Sequence, residues 1–124
     1  MKKSTTGVQW LRVPEEHDYP AAQSYLSLVN SESRAKALVL KLRRAPISEF
    51  KAKDIFRASG LSLLGVSSSH VKADLIKIRQ SVGLSPLLLV RDESQRKVTI
   101  ADGYHRLCAV YSLDENAVVP CKIT

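Results

Sequence analysis

The chain has 124 residues, 44% of them hydrophobic and 25% charged, with a formal net charge of +7. That is one domain's worth of ordinary globular composition, which excludes collagen, coiled coil and wholesale disorder and can bury a core without staples. Cys108 and Cys121 are too few for a disulfide framework or a four-ligand zinc site, and no run approaches about 18 apolar residues.

The opening stretch, residues 1–18, reads as a polar lead-in whose two lysines have no apolar run behind them, unlike a secretory leader. Trp10, Leu11 and Val13 can dock it on the body. Pro20 suits a first helical turn, and Ala21 to Val29 reads as a short helix. Asn30 or Ser31 can break that helix and cap the next. Ala35, Leu38, Val39 and Leu42 recur at helical spacing, with Lys41, Arg43 and Arg44 where cations suit the dipole, until Pro46 stops the pattern. Residues 19–46 are thus expected to form a helical hairpin whose apolar face covers the rest.

Ile47 to Lys51 is a candidate strand, and Lys53 to Arg57 a turn or two of helix. Gly60 and Gly65 bracket an apolar loop. After Ser67-Ser68-Ser69, the spacing of Val71, Leu75, Ile78 and Val82 predicts a helix from about His70 to Val82, with Gly83 just past its end. Pro86 to Val90 is a compact apolar run, and Val98 to Ala101 a second strand across a polar turn, together a hairpin. Residues 104–113 read as a helix. Val118 to Ile123 is a last strand, whose Pro120 argues for an edge position or an irregular end. The expected fold class is α+β: a small mixed sheet packed by helices, with the hairpin in front.

The charge is uneven. Residues 1–44 carry 8 basic and 4 acidic groups, residues 45–84 carry 6 and 3, and residues 85–124 carry 5 and 5. The basic excess in the first two thirds would attract nucleic acid, nucleotides or anionic surfaces, and serves equally as a solvated surface.

Asp102-Gly103-Tyr104-His105-Arg106 lies between a strand and a helix. Gly103 permits a tight turn and close approach of a ligand to the backbone. The first N–H groups of the following helix lack internal partners and sit at its positive end. His105 and Arg106 add side-chain donors; a charge-assisted hydrogen bond to phosphate contributes about 1.5–3 kcal/mol, and a bidentate arginine selects for oxyanions. Asp102 can cap the helix or hold a hydroxyl. The same turn could also be a plain cap with solvated side chains.

Four segments together resemble the ParB/sulfiredoxin superfamily: Ala52-Lys53-Asp54-Ile55, then Gly83 to Val90 with its "Leu-x-Pro-(apolar)-Val" pattern. Next comes Val98 to Ala109, like "Ile-x-Asp-Gly-x-His-Arg-x-x-Ala", and finally Val119 to Ile123. The resemblance covers residues 47–124 and implies a fold of that kind. It also implies a nucleotide-phosphate site at Gly103, His105 and Arg106, with Asp102 and Tyr104 in the same turn. The leading hairpin has no counterpart. Tyr104 stands where sulfiredoxins have the reactive cysteine and ParB proteins an acid. Its ordinary pKa of about 10 suits neither role near neutral pH, so sulfinic-acid reduction is not expected. Cys108, one turn on, reads as a buried small hydrophobe. The chain ends at Thr124, so the DNA-binding module that follows this domain in ParB proteins is not expected. The Asp-Gly-Tyr-His-Arg variant resembles the small single-domain ParB-like proteins of bacteria more than it does either of these.

Further candidates near a phosphate are Asp54, equally a helix cap, and Ser67, Ser68 and Ser69 at the start of the long helix. His70 reads as a lone surface residue, and His17 and Glu49 carry no signal. The expected function is binding of a nucleotide or phosphorylated small molecule, cytoplasmic, with no membrane partner. No residue is assigned a catalytic role. Turnover, if present, would be nucleotide hydrolysis or phosphoryl transfer with Mg²⁺ brought by the nucleotide and Asp102 or Asp54 near the metal; no intrinsic cofactor or metal is expected. The alternative is a basic nucleic-acid- or protein-binding module with an inactive pocket, the hairpin around Arg43-Arg44 being its contact surface.

Overall fold

A computed structural model describes residues 7–65 and 67–124; the first six residues of the expected lead-in lie outside it. Among the described residues are five helices and a four-stranded mixed sheet: α1 (Asp18–Val29), α2 (Glu32–Arg44), β1 (Ile47–Lys51), α3 (Ala52–Ser59), α4 (Ser69–Arg79), β2 (Leu87–Asp92), β3 (Lys97–Asp102), α5 (Tyr104–Leu113) and β4 (Val118–Ile123). The strand order is β1-β4-β2-β3, with β4 parallel to β2 and the outer pairs antiparallel. The class is α+β, as the sequence indicates.

The sheet is covered on both faces, and β2 shows why. Alternate residues of a strand point to opposite sides. Leu87 and Leu89 join the core formed with α3, α4 and α5. Leu88 and Val90 join a second core with Tyr19, Ala22 and Leu26 of α1 and Ala35, Leu38, Val39 and Leu42 of α2. A strand buried on both faces must be apolar throughout, which explains the unbroken Leu87–Val90 run. Ser31 caps α2 by accepting from the Arg34 N–H at 3.2 Å. No helix among the described residues is long and apolar enough to cross a membrane.

Four expectations need correction. The helix after the serines runs only Ser69–Arg79, and Ser81 takes the left-handed conformation (φ 58°), so Val82 points to solvent. Gly83 is not the helix cap: a Cβ there would lie 2.8 Å from the Leu11 side chain, so it is small because the N-terminal segment crosses it. That segment docks through buried Val8, through a bridge from Trp10 to Leu84, and through Leu11, whereas Val13 stays exposed. Finally, β4 is interior despite Pro120. Its ladder to β2 begins only at Cys121, so the proline sits just before that pairing.

The β2–β3 register places the Asp102–Arg106 turn. Leu88 pairs with Asp102 but Leu89 with Ile100, which leaves Ala101 as an extra residue. Such a bulge bends a strand and re-aims the side chains beside it. Here it delivers Asp102 and Gly103 to the edge of the sheet under α4 and α1.

Candidate functional site

Gly103 turns the chain from β3 into α5 with φ 107°, a conformation that favours glycine. A Cβ at this position would also lie 2.7 Å from Leu87 Cγ and 2.9 Å from Arg106 Nη2. The first helical hydrogen bond of α5 runs from the Leu107 N–H to the Gly103 carbonyl at 3.0 Å. The amides of residues 104–106 precede it and face outward from the positive helix end.

The turn opens on a polar cleft of about 280 Å³ between α4 and α5, lined by His70, Ala73, Asp74, Lys77 and residues 102–106. The turn predicted from sequence is therefore one wall of a real hollow. The other wall, on α4, was not read from sequence. His70 is exposed but not lone: its ring lies 4.6 Å from that of His105. Asp74 falls on the buried stripe of α4 with Val71 and Ile78. A carboxylate on an otherwise apolar stripe was the signal that could have marked it. Burial raises the Asp74 pKa, opposed by the positive charges of Lys77, Arg106, His105 and His70. Burial, then His70, lowers that of His105, with Asp74 acting against them and Arg106 with them. The lowered pKa favours the neutral imidazole of His105 at pH 7, and a nearby anion would favour its charged form.

Arg106 and Asp102 line the cleft but are tied to a buried cluster behind it. Arg106 Nη2 donates to Asp102 Oδ2 at 3.0 Å and to the Pro86 carbonyl at 3.4 Å, and lies 3.6 Å from Asp18 Oδ2. Ser85 Oγ donates a hydrogen bond to the same Asp18 oxygen and accepts one from the Glu15 N–H at 3.0 Å. His17 Nε2 lies 3.3 Å from the other oxygen. The Asp18 side chain is only 5% exposed and that of Arg106 17%. Burial raises the Asp102 pKa; Arg106 opposes this, and the neighbouring Asp18 carboxyl adds to it. Asp18, the last residue of the expected polar lead-in, is in fact buried beside the turn, because α1 starts there and packs against β3.

Tyr104 lines the cleft while its hydroxyl donates to the Ser62 carbonyl. Burial, then Cys108, raises its pKa, away from any role as a base. Cys108 is fully buried and its thiol pKa is raised by burial, so it packs as a small apolar group. Asp54 sits on α3, 3.5 Å from Arg57, and does not line the cleft; nor does it cap the helix, which begins after Lys51 without a side-chain cap. Ser68 caps α4 by accepting from the Val71 N–H at 3.5 Å, and none of the three serines lines the cleft.

The side chains do not fit a resident Mg²⁺. Asp102 is engaged by Arg106, Asp54 is elsewhere, and among the described residues no group of three or more His, Cys, Asp or Glu could hold a metal. A second hollow of about 270 Å³ lies between α1 and α2, lined by Tyr19, Pro20, Val39 and Leu40 among others. Its Arg43 is stacked 4.2 Å over the Tyr19 ring and paired with Glu16, which leaves little polar chemistry there.

Comparison with known proteins adds no relative: no family model, no curated protein and no solved structure matches the chain.

Proposed function

We propose that the chain is a ParB/sulfiredoxin-like domain that binds the phosphate of a nucleotide or another phosphorylated small molecule in the cleft at Asp102–Arg106. The observation that carries this reading is the convergence of the first turn of α5, His105, His70 and Lys77 on one polar hollow beside Gly103. Phosphate would accept from the amides and Lys77, and its charge would raise the His105 pKa and recruit the imidazolium as a further donor. Phosphoryl transfer would need a base, and Asp74, buried in the lining beside Lys77 and Arg106, is the carboxyl nearest that task. The chain's resemblance in residues 47–124 supports the same site.

Titration calorimetry with ATP, ADP, CTP and GTP, each with and without Mg²⁺, tests this. Saturable binding is expected, weakened about tenfold or more in Lys77→Ala and His105→Ala by loss of one charge-assisted contact. Absence of heat from all four with folded protein would move the assignment to a nucleic-acid- or protein-binding module. That alternative draws on the exposed Lys36, Lys41 and Arg44 of α2 and predicts binding that weakens steeply with salt. It draws less on Arg43, which is held by Tyr19 and Glu16.

A further inference from the structure

We propose that Asp18 is an internal competitor of the ligand: its buried carboxylate holds Arg106 back from the cleft, and a phosphate ligand must draw the guanidinium away to bind at full strength. This rests on the phosphate reading above and adds its regulation. Arg106 lines the cleft yet uses one nitrogen, Nη2, to donate to Asp102 Oδ2 and the Pro86 carbonyl and to pair, at 3.6 Å, with Asp18 Oδ2. Its Nε is buried with no hydrogen-bond partner among the described residues. A buried N–H left unpaired costs free energy, and a guanidinium binds oxyanions best through two parallel N–H groups. The internal arrangement uses that geometry poorly, so a phosphate offering two oxygens to Nε and Nη2 would replace a one-nitrogen hold with a two-nitrogen one.

The same contact ties the ligand site to the N-terminal segment. Asp18 opens α1, and Ser85 bonds both its carboxylate and the Glu15 N–H. Losing Arg106 would leave Asp18 with Ser85, Asp102 and the largely exposed His17 as neighbours. A net negative pair in a buried place would loosen residues 15–18 from the sheet. Ligand binding at α5 would thereby be felt at the start of the hairpin on the opposite face.

The test uses inorganic pyrophosphate as probe, by calorimetry at pH 7. Asp18→Asn keeps the shape and an oxygen for Ser85 but removes the charge, and is expected to bind pyrophosphate about tenfold tighter than the wild type. Adding Arg106→Ala should abolish that gain. Tighter binding by Asp18→Asn, including binding where the wild type shows none, supports the proposal. Wild-type binding that depends on His105 and Lys77 but is unchanged or weaker in Asp18→Asn overturns it and leaves the phosphate reading standing. No binding by either protein overturns both. Should Asp18→Asn fail to fold, hydrogen exchange on the wild type decides: saturating pyrophosphate should speed exchange of the Glu15 and Asp18 amides, and unchanged exchange overturns the proposal.

Discussion

On one side of Arg106, Asp18 and Ser85 are buried between α1 and the sheet, with Asp102 half-buried beside them at the rim of the cleft; on the other, His70, Asp74, Lys77 and His105 ring the open cleft. The two regions share a residue and use the same kinds of charge. They differ in solvent. In the buried cluster the charges have lost most of their water and must be matched inside the protein, so its members hold the fold. Around the cleft, His70 and Lys77 are exposed, so water matches them where Asp74 is buried, and they are free to meet a ligand. The turn that reads as one motif in sequence is thus divided: its arginine faces the structural cluster and its histidine the cleft.

The largest effect that would break this contrast is Arg106→Ala. It leaves two buried carboxyls without their cation and is expected to cost about 3–5 kcal/mol in urea unfolding at pH 7. The loss should shrink at low pH, where the carboxyls protonate. Burial raises the Asp102 pKa, so its contribution to stability is complete below its ordinary value of about 4 and is lost as pH rises through the raised one. An equal loss at both pH values would show that the arginine acts by packing alone.

Gly103→Ala comes next, at about 2–4 kcal/mol, from a positive φ and a Cβ forced against Leu87. The check is the unfolding midpoint together with the α5 amide signals; an unchanged midpoint would mean that the turn can relax. Ser85→Ala, which removes a donor to Asp18 and an acceptor for Glu15, should cost about 1–2 kcal/mol. His70→Ala is the smallest, within about 0.5 kcal/mol, because the residue is exposed. It should move the His105 titration, followed by NMR, upward toward 6.5, since burial and then His70 lower it. A lowered imidazole pKa contributes stability above the ordinary value that is lost as pH falls through the lowered one, so His70→Ala should flatten that acid-side decline. A large destabilisation in His70→Ala would erase the distinction between the two regions.

Much was legible from spacing. The hairpin stripe of Ala35, Leu38, Val39 and Leu42, the Leu87–Val90 run and the helix at 104–113 all follow from local periodicity, which needs no knowledge of partners. The turn at Asp102–Arg106 was also visible, because glycine between a strand and a helix has few uses. Pro120 misled for a clear reason. The rule against proline inside sheets applies where its N–H would join a ladder, and here the ladder to β2 begins one residue later.

Sequence alone therefore determined the α+β class, the element order and the position of the turn, since these depend on side-chain periodicity and backbone preference within a few residues. Tertiary structure decided which residues surround that turn. Asp18 and Ser85 are 67 positions apart, and no local pattern distinguishes a buried aspartate at a helix start from a solvated one. His70 and Asp74 reach the cleft only because α4 packs on α5. Whether a charge becomes structure or site depends on how much water its surroundings leave it, and that follows from the packing of distant segments.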